Sequence, residues 1–75
     1  MKASPTIVEV FKTNVQEKHE SHRVVQQLLE HFPNGQINFD LEDCDKILRL
    51  EDERIVHEAV IRIVNACGYA CEVLD

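Results

Sequence analysis

The sequence predicts an α+β domain in which four antiparallel strands form one sheet and two helices cover one face of it. Segments rich in β-branched and aromatic residues alternate with two segments whose apolar residues recur at helical spacing, in the order β-α-β-β-α-β. The two middle strands are separated by a short acidic turn, which predicts a hairpin. Two β-α-β halves joined by a hairpin define the ferredoxin-like sandwich.

The first strand is predicted over residues 6–12, where β-branched and aromatic residues predominate. Both of its faces carry apolar side chains, with Ile7 and Phe11 on one and Val8 and Val10 on the other. Either the strand is central or a partner chain covers its second face. If Phe11 points to the helices, the two valines lie on the open face of the sheet, and we then expect a homodimer.

Two amphipathic helices are predicted, over residues 19–32 and residues 52–66. The second begins at the N-cap candidate Asp52 and is terminated by Gly68. The predicted buried residues are Val24, Val25, Leu28, Leu29 and Phe32 in the first helix, and Val56, Ala59, Val60, Ile63, Val64 and Cys67 in the second.

Three further strands are predicted over residues 36–41, 46–50 and 69–74. The first of them alternates cleanly, with Ile37 and Phe39 on one face and Asn38 and Asp40 on the other, which is typical of a half-buried strand. The turn before it contains proline, asparagine and glycine, which stop the preceding helix.

Length and charge limit the classes of function. The 75 residues are enough for one small domain, predicted over residues 6–75 after a loose leader at 1–5. The net charge of −6 argues against binding to nucleic acid or to an anionic membrane surface. No apolar run is long enough to span a bilayer, and the N-terminus lacks the apolar core of a secretion signal. We therefore expect a cytoplasmic protein.

Three segments resemble the heavy-metal-associated domain family, to which copper chaperones belong. They are FKTNV at residues 11–15, DKIL at 45–48 and ACGYACEVL at 66–74. The resemblance covers nearly the whole chain and implies the same ferredoxin-like fold. The family binds a soft metal through Cys-x-x-Cys between the first strand and the first helix, whereas this chain has no cysteine before Cys44.

His19 and His22 are the metal-ligand candidates that the sequence offers in place of those cysteines. Counting back from the end of the first helix puts the two histidines at the ligand positions, and counting forward from FKTN puts Glu17 and Glu20 there. Imidazoles three residues apart on a first helical turn share a face and suit Zn(II), Ni(II) or Cu(II) better than Cu(I). Glu17, Glu20 or a partner subunit would complete the site, because zinc normally takes four ligands. The alternative is two solvated histidines at a polar helix end.

The remaining reactive side chains have structural interpretations. Cys67 and Cys71 continue apolar patterns and are predicted to pack in the core. Cys44 lies between two aspartates, which blunt a thiol's nucleophilicity. The acidic turn around Cys44 lacks the spacing of a calcium loop, and His31 and His57 are predicted to be exposed.

No catalytic constellation is visible, and we do not expect an enzyme. The sequence identifies no definite cofactor, and the candidates are Zn(II), Ni(II) or Cu(II). The leading hypothesis is a small binding module of the metal-chaperone type whose soft-metal site is lost or remodelled to His-x-x-His. The alternative is a self-associating structural or regulatory domain that binds no metal.

Overall fold

The computed structural model describes residues 5–74 and confirms the predicted α+β sandwich. One four-stranded antiparallel sheet has the strand order β2-β3-β1-β4, so β1 and β3 are central and β2 and β4 are the edges. Of the predicted leader, residues 1–5, only Pro5 lies among the described residues. The elements are β1 (Ile7–Thr13), α1 (Lys18–His31), β2 (Gln36–Asp40), β3 (Ile47–Asp52), α2 (His57–Ala66) and β4 (Cys71–Val73).

Both helices lie on the face of the sheet to which Phe11 points. Phe11, Leu48 and Leu50 are fully buried in one cluster with apolar residues of α1 and α2. Val8 lies on the opposite face of β1 and is 47% exposed. The valines of β1 therefore occupy an open sheet face that no described helix covers.

Helix α1 is rotated relative to the stripe that its apolar residues predicted. Val24 and Leu28 are fully buried, but Val25 and Leu29 are only half-buried. The face instead extends to Ser21, which is 5% exposed and donates a hydrogen bond from Oγ to the Lys18 carbonyl over 2.7 Å. A small hydroxyl side chain that bonds its own helix can enter the core without an unpaired polar atom.

Helix α2 is shorter than predicted, and Asp52 is not its N-cap. Asp52 is the last residue of β3, where it pairs with Ile7 of β1. Pairing with β1 extends β3 beyond its predicted end by two acidic residues, Glu51 and Asp52. The helix therefore begins only after Val56, which is 54% exposed. Gly68, with φ +100°, ends α2 as predicted. The Gly68 N–H donates to the Asn65 carbonyl, and the next N–H along the chain donates to the Val64 carbonyl.

Of the residues predicted to be buried, some are fully buried and others only partly. Leu28 and Val60 are fully buried, while Leu29, Phe39 and Ile63 pack against the core but remain half-buried.

Within residues 5–74, neither helix is long and apolar enough to cross a membrane.

Candidate functional site

Thr13, at the end of β1, joins three segments at the end of the domain where metal ligands were predicted. Its N–H donates to the Asp45 carbonyl over 3.0 Å, and its Oγ1 donates to the Lys46 carbonyl over 2.6 Å. The same hydroxyl accepts the Val15 N–H at 3.2 Å. Thr13 is 6% exposed, so these bonds are largely shielded from water. They fix the β1–α1 loop against the β2–β3 loop.

Asn14 attaches the same loop to the start of β4. Its Oδ1 accepts the Ala70 N–H at 2.8 Å across 56 positions of sequence. Phe11 and Val15 are fully buried. They lie two residues before and two residues after Thr13. Four of the five residues of the FKTNV segment thus have a packing or hydrogen-bonding role in the fold.

The start of α1 is held by the Glu20 carboxylate. Its Oε1 accepts the N–H of Glu17, the N-cap residue, at 3.2 Å and that of Gln16 at 3.4 Å. The Glu17 N–H is the main cause that lowers the pKa of Glu20. Desolvation and the nearby Glu20 charge raise the pKa of the Tyr69 hydroxyl. Glu20 is therefore engaged in capping rather than free to bind a metal.

His19 and His22 are exposed on the first turns of α1 but do not converge with the two glutamates. None of the three ion pairs within residues 5–74 involves either histidine. His22 lies beside a groove between α1 and β2 that the side chain of His19 does not line. The four predicted ligands His19, His22, Glu17 and Glu20 do not bring three ligand atoms together within 4.8 Å.

The acidic turn is the place where three potential ligand atoms do meet. Asp43, Cys44 and Asp45 have ligand atoms within 4.8 Å of one another, alone among the residues that the structure describes. Asp43 Oδ1 accepts the Asp45 N–H at 2.8 Å, and Lys12 Nζ lies 4.0 Å from Asp45 Oδ1. Both aspartates therefore have structural partners that account for their positions without a bound metal. Lys46, which follows it, has φ +46°.

The other cysteines pack as predicted. Cys67 and Cys71 are half-buried against the core, and neither forms a disulfide. Burial, with the nearby charge of Glu72 as a smaller cause, raises the pKa of the Cys71 thiol to about 11. Cys71 is therefore a packing residue with little thiolate at neutral pH.

Sequence reasoning missed a pair at the opposite end of the sheet. His57, predicted to be exposed, is half-buried at the start of α2. Its Nε2 lies 2.8 Å from Glu9 Oε1, and its ring stands edge-on to Phe11 with centroids 5.8 Å apart. Glu9 lies on the helix face of β1, and its alternation with Phe11 was the available signal. His31 is exposed, as predicted.

The open sheet face carries an apolar patch formed by Val8, Val10 and Leu74. Val8 is 47% exposed and Leu74 36%, and the Leu74 N–H donates to the Val10 carbonyl. The strand registers place a mixed set of charged side chains around this patch: Lys12, Asp40, Arg49, Glu51 and Glu72.

Comparison with protein-family models, with curated proteins and with solved structures found no match to this chain.

Proposed function

We propose that this chain is a non-catalytic, self-associating binding domain, in which a second copy covers the open face of the sheet. The observation that carries the proposal is the patch of Val8, Val10 and Leu74, which remains accessible although both helices pack on the other face. Apolar side chains that adjoin one another on an otherwise polar surface favour a protein partner.

Charge complementarity favours a second copy as that partner. The face carries two cations, Lys12 and Arg49, and three acids, Asp40, Glu51 and Glu72, a net charge of −1 (2 − 3) within a chain of −6. Arg49 makes no ion pair within residues 5–74. A nearly balanced face can place its cations opposite the acids of an identical face.

The size of the face sets the expected affinity. The four strands contain 7, 5, 6 and 3 residues, and at about 3.4 Å per residue and a spacing of about 4.8 Å they cover roughly 340 Å². Standard interfaces bury about 800 Å² on each partner, so this one is small. We therefore expect a dimer that dissociates on dilution, with a Kd on the order of 10–100 μM.

A matched pair of substitutions on β1 tests the proposal. Val8 and Ile7 are 47% and 43% exposed on opposite faces, and they pair with the acidic residues Glu51 and Asp52. In Val8→Lys and in Ile7→Lys the new cation lies across from a carboxylate, so both monomers should fold. Only Val8→Lys places a charge in the proposed interface.

Sedimentation equilibrium over a wide concentration range should show dimers of the natural chain and of Ile7→Lys. Burying the exposed half of Val8 is worth about 0.7 kcal/mol per protomer and is lost twice in a symmetric dimer. Val8→Lys should therefore weaken association at least about tenfold. A natural chain that remains monomeric at about 1 mM, or equal weakening by both substitutions, would refute the proposal.

Divalent-metal binding by His19 and His22 is the second candidate. The observation in its favour is that both imidazoles are exposed on adjacent turns of α1 and neither takes part in an ion pair with a described residue. Two imidazoles form a weak chelate that suits Zn(II), Ni(II) or Cu(II). A second copy bound to the open sheet face would add no ligand to it, because α1 packs on the opposite face of the sheet.

Thermal unfolding with and without Zn(II) or Ni(II) tests this candidate. Metal bound to the folded state should raise Tm, and the rise should shrink as pH falls, because imidazole must be neutral to bind. The double substitution His19→Ala and His22→Ala should abolish the rise. An equal rise in the double variant, removed instead by Asp43→Asn, would place the metal at the acidic turn.

A further inference from the structure

Strand β2 offers a free backbone edge for strand addition. It pairs only with β3, and no other described strand pairs with its outer side. Its five residues, QINFD, include no proline or lysine, the residues with which edge strands commonly block further pairing. An extended segment can therefore form backbone hydrogen bonds with this edge.

A groove with apolar walls runs beside that edge, between β2 and α1. Its volume is about 350 Å³. Four half-buried side chains supply the walls: Val25, Ile37, Phe39 and Leu41. Ile37 and Phe39 lie two positions apart on the helix face of β2, so a strand added to this edge would present every second side chain to the groove.

Nitrogen-bearing side chains of α1 border the groove within an acidic chain. Lys18 and His22 of α1 line its rim and are exposed. Lys46 Nζ donates to the carbonyl of Leu41, another lining residue, over 2.8 Å. The only acidic residue of β2, Asp40, points to the other face of the sheet. The rim therefore favours an acidic occupant, although the chain as a whole carries −6.

We propose that an extended peptide from another protein adds to the free edge of β2 as a fifth strand. An apolar side chain of the peptide fills the groove, and an acidic side chain two positions away lies against Lys18 and His22. A second copy of β2 fits less well, because its helix-face residues Ile37 and Phe39 bring no acid to the rim. This site is separate from the open sheet face and acts independently of self-association.

Two synthetic peptides of identical composition test the proposal. In acetyl-Thr-Glu-Thr-Leu-Thr-Glu-Thr-amide, leucine and both glutamates share one face in either strand direction. In acetyl-Thr-Thr-Glu-Leu-Glu-Thr-Thr-amide the glutamates lie on the opposite face from leucine. With the full ¹⁵N-labelled chain, the first peptide should shift the amides of residues 36–40 and saturate with a Kd below about 1 mM. The second should bind at least about fivefold more weakly.

A pair of charge-reversing substitutions tests the proposal on the protein side, one at the rim of the groove and one, as its matched control, away from it. Lys18→Glu reverses the rim charge and places an acid in the first turn of α1, where it suits the helix N-terminus. It should weaken the first peptide at least about fivefold. Arg62→Glu makes the same charge change on the exposed side of α2 and should leave binding unchanged. Equal binding of both peptides, equal effects of both substitutions, shifts confined to the open face, or no shifts would each overturn the proposal.

Discussion

The orientation of α1 can be tested by the same substitution at two adjacent positions. Val24 is fully buried and Val25 is half-buried, so Val24→Ala and Val25→Ala remove identical atoms from different environments. Loss of two buried methyl groups lowers the free energy of unfolding by about 1.6 kcal/mol, and the cavity left in the core raises this loss to about 2.5 kcal/mol for Val24. About half the transfer cost applies to Val25, without a cavity, or about 0.8 kcal/mol. Alanine's better helix propensity cancels in the comparison.

Urea and thermal unfolding followed by circular dichroism would measure this difference of about 1.7 kcal/mol. For a domain of this size each kcal/mol shifts Tm by about 4–8 °C, so Val24→Ala should melt roughly 10 °C below Val25→Ala. The urea m-values should remain equal if both variants unfold in two states. Equal losses of unfolding free energy, or a larger loss for Val25→Ala, would refute this orientation of α1 and support the buried face that its apolar spacing predicted.

Two further predictions concern single side chains. Thr13→Val keeps the shape of Thr13 but leaves the Lys46 carbonyl without its hydroxyl partner. It should lower the free energy of unfolding by about 1–3 kcal/mol in urea, whereas Thr13→Ser should lose less. Since the pKa of Cys71 is raised from 9.0 to about 11, iodoacetamide should label Cys44 well before Cys71 at neutral pH. Stability contributed by the neutral Cys71 thiol should be full below pH 9 and decline as pH rises toward 11, and equal labelling of the two thiols would contradict this reasoning.

Periodicity predicted the elements of the fold because most of their buried positions are apolar. It misplaced the face of α1 because it counts only apolar residues. Ser21 is buried through a hydrogen bond to the Lys18 carbonyl, which no hydropathy pattern can show. It also assigned Asp52 to a helix cap, since an acidic residue before an apolar stretch favours a cap. Pairing with Ile7 of the central strand outweighs that local preference and keeps Asp52 in β3.

The contacts at the candidate sites depend on distant parts of the chain and could not be predicted from local spacing. Asn14 bonds Ala70 across 56 positions, and Glu9 meets His57 across the sheet–helix interface. The position of His19 and His22 at the start of α1 was predictable. The capping engagement of Glu20 was not, because a sequence does not show which of several acids accepts the free N–H groups.

These contacts separate the resemblance to heavy-metal-associated domains from the chemistry of that family. In this chain Phe11 and Val15 fill the core, Thr13 links two loops, and Asn14 holds the start of β4. All of these roles act within the fold and none needs a bound metal. The FKTNV segment is therefore compatible with a loop that has no thiolate ligands, and its presence does not by itself imply copper transfer. The surfaces that we propose for binding are the open sheet face, to which this segment contributes only Lys12, and the free edge of β2.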